Sequence, residues 1–215
     1  MPAGVVCAAP PAPPEEVKKW FPKAGTRDAP PKFRMVCFHC AGGAESIYTS
    51  RGMRQPTENP MVLWCRDQGG ELMACELPGR EQRRKEELFT SLAPAAAALF
   101  PVLAPVLQEP VPYALVGHSV GSWMMFELIK LLMARGIPLP KVIFVSCFPA
   151  PSCPPLQRPW RPSRKMDDEG FKTEARTWDV NEVVFQPHNW KTFEKMMRTF
   201  FLLFDEYECA ARPAA

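Results

Sequence analysis

Gly117-His118-Ser119-Val120-Gly121 sets a serine between two glycines in a G-x-S-x-G pattern. The pattern follows the apolar run Tyr113-Ala114-Leu115-Val116 and opens a strongly apolar segment over residues 123–133. Strand, glycine-flanked serine, helix is the arrangement of a nucleophile elbow, and its chemistry is attack by the serine hydroxyl. Gly117 and Gly121 carry no side chains, so the backbone can fold sharply there and lift the hydroxyl clear of the sheet. The helix that follows points its first amides, and the positive end of its dipole, at the charge that develops. A plain strand-to-helix turn with an inert serine is the competing reading.

Other reactive residues give weaker patterns. Cys37-Phe38-His39-Cys40 has the C-x-x-C spacing of redox and zinc sites. No second C-x-x-C or H-x-x-x-H partners it, so the expectation is a buried strand ending at Cys37, with Cys40 in the loop after it and no metal bound. No feature calls for a cofactor.

Composition narrows the class. A chain of 215 residues is one moderate domain with room for a sizeable core. A net charge of +3 and the lack of a dense basic stripe argue against nucleic acid. Arg80, Arg83, Arg84 and Lys85 are interleaved with Glu81, Glu86 and Glu87, which reads as a solvated helix or loop face. No apolar stretch is long enough for a transmembrane segment. The first residues lack the basic and apolar regions of a secretory signal, and eight cysteines without one imply free thiols in a reducing compartment. The expected location is cytoplasmic, with an organelle transit peptide left open.

The elements that must position Ser119 are legible as short apolar runs between turn residues. Residues 1–32 form a proline-rich, irregular lead-in with one anchored spot at Lys19-Trp20-Phe21-Pro22. Residues 33–150 form the core. Strands are expected over 33–38, 71–77, 113–116 and 141–147, and a short helix over 60–67. A helix over 91–107 starts at a Ser91 cap, and Pro101 and Pro105 should kink or end it. Short continuous apolar strands alternating with helices predict a mostly parallel sheet with helices on both faces. Residues 151–208 change character, with a proline- and arginine-rich opening and then many aromatics. Trp190, Phe193, Met197, Phe200, Phe201 and Phe204 fall at helical spacing, either as an ordinary packing helix or as a helical lid lining an acyl channel. Residues 209–215 are a tail.

Four segments match a known family in order: Cys37-Phe38-His39-Cys40-Ala41-Gly42-Gly43, Glu76-Leu77-Pro78-Gly79-Arg80-Glu81, Gly117-His118-Ser119-Val120-Gly121, and Phe144-Val145-Ser146 followed by Ala150-Pro151. With them the chain, from about Trp20 to Tyr207, resembles the type II thioesterases of polyketide, nonribosomal peptide and fatty-acid synthesis, in the α/β-hydrolase superfamily. The family typically has proline where His39 stands. It has arginine-alanine-aspartate where this chain reads Arg198-Thr199-Phe200.

The resemblance implies an α/β-hydrolase fold with a helical lid and a serine hydrolase acting on acyl thioesters. Ser119 would form an acyl-enzyme that water resolves to a fatty or polyketide acid. The amide of Val120 would be one oxyanion donor, and that of Cys40 or Ala41 the other. Gly42 and Gly43 would let that loop pass close to the substrate. The partner would be an acyl carrier protein or acyl-CoA.

Triad partners in this fold follow the serine, acid first and then histidine. The family's next strand and Gly-Gly-His do not appear, so the chain reads as C-terminally truncated, whether by gene model, fragmentation or natural loss. An exposed sheet edge and self-association are expected as a result. Of the three histidines, His39 lies in the oxyanion loop and His118 in the elbow, pointing away from the reacting face. His188, oriented by Asp179 or Asp205, is the remaining possible base. A chain without a working base would be an acyl- or carrier-protein-binding module. A general carboxylesterase is the third reading.

Overall fold

A computed structural model describes residues 11–24, 30–50 and 58–209. In chain order the elements are α1 (Pro14–Trp20), β1 (Arg34–Phe38), α2 (Ser46–Thr49), α3 (Pro60–Asp67) and β2 (Glu71–Ala74). They continue with α4 (Leu92–Gln108), β3 (Tyr113–His118), α5 (Val120–Ala134), β4 (Val142–Ser146), α6 (Asp168–Arg176) and α7 (Pro187–Asp205). The strands form one four-stranded sheet in the order β2-β1-β3-β4, and every pair is parallel. Each parallel neighbour needs a crossover, supplied by α2 and α3, by α4, and by α5. The mixed α/β architecture expected from the alternating runs is the one found.

Side chains alternate across the sheet. Val36, Phe38, Met73, Cys75, Tyr113 and Leu115 face the main core with α4 and α5. Cys37, Leu72 and Ala74 face a smaller cluster with Tyr48 and Cys65. α4 does not end at Pro101 or Pro105 but continues through both to Gln108. The burial of Leu99, Val102, Leu103, Ala104 and Leu107 offsets the roughly 3 kcal/mol each proline costs in a helix interior. Ser91 sits at the N-cap, but its side chain makes no capping bond. β2 ends three residues before the expected Leu77, because Glu76 turns its amide to the carbonyl of Trp20 at 2.8 Å. That bond ties the anchored spot to the sheet, with Trp20 and Phe21 buried in the core.

The basic run after Pro78 is only in part the solvated face expected, since Arg84 and Lys85 are exposed. Arg80 and Arg83 are buried. Arg83 donates to the Glu76 carbonyl at 2.8 Å and lies over the Trp20 ring, while Arg80 lies 3.2 Å from the centroid of Phe200. Aromatic faces replace the lost water around both guanidiniums.

Residues 151–208 pack onto the core through a run of tilted aromatic rings. Trp123 of α5 meets Trp160 at 6.0 Å and Tyr207 at 4.7 Å, and Trp160 meets Trp178 at 5.4 Å. Arg158 donates to the carbonyls of Phe204 and Tyr207 at 2.9 and 2.6 Å, filling acceptors that the end of α7 leaves open.

β4 is the exposed edge. Its residues Val142, Ile143, Phe144 and Val145 are each about half exposed. An unpaired apolar edge is a template for another strand. The chain is therefore expected to self-associate at micromolar concentration. Phe144→Lys should shift it towards monomer in sedimentation velocity, with little loss of stability because the site is already open to water.

Candidate active site

Ser119 has φ 55° and ψ −131°. A non-glycine residue pays about 1–3 kcal/mol to sit there, so its surroundings must hold it. Its amide donates to the carbonyl of Ser146 on β4 at 2.8 Å, and its carbonyl accepts from the Ser122 amide at 2.8 Å. Ser122 Oγ donates back to the Gly117 carbonyl at 2.8 Å. A β-carbon on Gly117 would stand 2.6 Å from the Ser122 Cα, so only glycine lets the helix fold back on the strand. One on Gly121 would stand 2.3 Å from the Phe38 carbonyl oxygen and 2.7 Å from that of His39. Gly121 is thus where the end of β1 and the loop after it touch the start of α5. The Cys40–Ala41 loop and the elbow, 76 residues apart, are brought together there.

Cys40 and Val120 line one small apolar cavity of about 10 Å³ with Gly121, Met124 and Phe200. A second, of about 360 Å³, opens between the loop Cys40–Gly43 and the underside of α7, at Phe193, Met196, Met197 and Phe200. Helical spacing alone left open whether that face was core or lining. It is both, since Met197, Phe200 and Phe201 are also buried in the core. A cleft of about 460 Å³ beside α3 and β2 holds no residue of the elbow or loop.

The histidines do not converge on the serine. Among the described residues no hydrogen bond reaches Ser119 Oγ. His118 turns to β4, with Nδ1 3.0 Å from Ser146 Oγ. His39 is buried, its Nδ1 2.9 Å from the Cys40 carbonyl. Burial holds it down to about 4, so the ring is neutral; its Nδ1 proton then bonds that carbonyl. His188 is exposed in the first turn of α7. Asp205 ends the same helix, ~25 Å away along the axis, and cannot orient it. The Asp205 carboxylate instead accepts from the Ser163 amide at 2.7 Å and from the Ser163 hydroxyl. Asp179 lines the larger cavity, whose lining does not include His188. Burial raises the thiols of Cys37 and Cys40, which disfavours the thiolate that redox or zinc chemistry uses.

A buried polar group behind the loop Cys40–Gly43 escaped sequence reasoning. Glu45, Glu76 and Arg80 are nearly inaccessible, and the Glu45 amide donates to Glu76 Oε2 at 3.0 Å. Burial first, and then the charges of Glu81 and Glu45, push Glu76 up to about 7. The only available signal was that both flank glycine-containing turns whose backbones must pack closely. A raised carboxyl pKa makes the folded state bind the proton more tightly than the unfolded one, whose value is near 4.5. Stability therefore falls as pH rises from about 4.5 to 7, and the penalty is complete above 7. Glu76→Gln should be about 2 kcal/mol more stable than the parent at pH 8 in the presence of a chelator, with no gain at pH 4. Urea unfolding at the two pH values measures it.

Residues 33–215 match the family model described as "Thioesterase domain". The chain belongs to the thioesterase family. Among curated relatives, the chain is 29% identical over 172 residues to the gramicidin S biosynthesis protein GrsT of Aneurinibacillus migulanus, covering 80% of the chain and 60% of that protein. It is 30% identical over 114 residues to the human medium-chain S-acyl fatty acid synthase thioesterase, covering 53% of the chain and 38% of that protein. Among solved structures it superposes on the type II thioesterase BorB of the borrelidin biosynthetic cluster with a TM-score of 0.68 and 26% identity, covering 90% of the chain and 73% of BorB. No described helix is long and apolar enough to cross a membrane.

Proposed function

We propose that the chain acts on acyl thioesters, delivered on an acyl carrier protein or on coenzyme A, through a Ser119 acyl-enzyme. The observation that carries this reading is the strained elbow of Ser119, clamped at Gly121 against the loop that bears Cys40 and Ala41. Ser119 Oγ attacks the thioester carbon and gives up its proton. The amides of Val120 and of Cys40 or Ala41 hold the oxyanion, and the protonated thiol leaves. Water then cleaves the Ser119 ester and releases a carboxylic acid. The 360 Å³ cavity under α7 is of a size to take an acyl chain. Membership of a thioesterase family supports the thioester, and a relative named as a medium-chain S-acyl fatty acid synthase thioesterase supports a fatty acyl group.

A second reading, acyl or carrier binding without turnover, is favoured by the lack of any hydrogen bond to Ser119 Oγ among the described residues. A serine without a base is a weak nucleophile, and positioned bases contribute ~10²–10⁴ in rate. Hydrolysis of acyl-CoA thioesters against matched p-nitrophenyl esters separates the readings. Thioester turnover exceeding ester turnover supports the proposal. Faster ester turnover points to a carboxylesterase. Saturable binding of acyl-CoA with no turnover replaces the enzyme with a binding module.

A further inference from the structure

Glu45, Glu76 and Glu81 each bring a carboxylate oxygen within 4.8 Å of the others. They come from three places: the residue before α2, the chain just beyond β2, and the turn after Gly79. Two of them lie deep, Glu45 at 2% and Glu76 at 0% exposure. Neutral donors fix all three. Thr49 Oγ1 donates to Glu45 Oε1 at 2.5 Å, the Glu45 amide to Glu76 Oε2 at 3.0 Å, and the Ser46 hydroxyl to Glu81 Oε1.

No cation among the described residues pairs with the group. Among the described residues none of the three carboxylates makes an ion pair. Arg83 is turned to Glu86 at 2.8 Å. Arg80 biases Glu76 through its field, but its guanidinium lies over Phe200, with Nε and Nη2 unpartnered. The charge of Lys23 acts on Glu45 only weakly, and the two make no ion pair. Glu76 Oε1 is a wholly buried carboxylate oxygen with no hydrogen-bond partner among the described residues. Such an atom costs several kcal/mol unless a proton or a cation meets it.

We propose that Glu45, Glu76 and Glu81 form a binding site for a divalent cation of the hard, oxygen-preferring class, Ca²⁺ or Mg²⁺. An all-carboxylate donor set without nitrogen or sulfur suits these ions, with water completing the shell. A bound ion would join α2 to the turn after Gly79. It would thereby brace the loop Cys40–Gly43, which leads into α2, against the β2 side of the sheet. The spacing of the three glutamates in the sequence gives no hint of this.

The site does not depend on the thioester reading, and its test needs no turnover. The whole chain, stripped with a chelator, is melted at pH 8 with millimolar CaCl₂ or MgCl₂, and with KCl at matched ionic strength. The proposal expects a saturable rise of at least about 3 °C with one divalent salt beyond that with KCl. Glu76→Gln and the exposed Glu81→Gln should each remove it, and stripped Glu76→Gln should melt no lower than the stripped parent. No rise in the parent beyond the KCl control overturns the proposal. So does an equal rise in both variants.

Discussion

Ser119→Ala is expected to fold as the parent does and to take no fluorophosphonate label, where the parent takes one per chain by intact mass. The argument rests on the backbone. Alanine at φ 55° bears the same strain as serine, so the elbow and its bonds to Ser146 and Ser122 survive. The amides of Val120, Cys40 and Ala41, the proposed oxyanion donors, stay in place, so residual hydrolysis should not vanish. In a complete triad, losing the serine costs ~10⁶ in kcat. Here no base touches Oγ among the described residues, so the expected fall in thioester turnover is smaller, on the order of 10². A folded parent that takes no label would remove Ser119 as nucleophile and leave the binding reading. Ser119→Gly is a useful companion: it relieves the strain and should gain up to about 1 kcal/mol.

Gly121→Ala should be far more damaging than its single methyl group implies. That methyl would meet the carbonyl oxygens of Phe38 and His39, and the carbonyl carbon of Phe38 at 2.7 Å. All are backbone atoms in or beside the sheet, so no rotamer change can clear them. Either β1 and α5 part or the elbow unwinds. The expected loss is at least about 3 kcal/mol, a large fraction of the stability of an ordinary domain. Gly42→Ala is the control. It has open space within 4 Å and a φ of +82°, so it pays only backbone strain, about 1 kcal/mol. A Gly121→Ala midpoint within 1 kcal/mol of that control would mean the loop and elbow are not clamped there.

What the residues announce and what they conceal divide along a physical line. Apolar runs such as Val142-Ile143-Phe144-Val145 announce strands, because period and residue type are local properties. The elbow is legible because its glycines are a steric requirement of one turn. The helix over Leu92–Gln108 looked interruptible at Pro101 and Pro105, since the packing that overrides them is tertiary. Arg80 and Arg83 looked solvated because their aromatic partners, Phe200 and Trp20, are remote in sequence. Glu45 and Glu76 meet for the same reason, across 31 residues and a sheet crossover. His188 was a candidate by elimination, and elimination carries no distance. Helix length alone then separated it from Asp205.

The tilted, closely packed rings of Trp123, Trp160 and Trp178 run across the seam between the sheet layer and residues 151–208. Indoles this close couple their excited states, so the seam carries its own optical signal. Parting of the two layers would show as a loss of near-ultraviolet circular dichroism, while the far-ultraviolet signal of the helices stayed constant. A tight, closed lid would give the same spectrum with and without an acyl ligand. A lid that must swing to admit one would not.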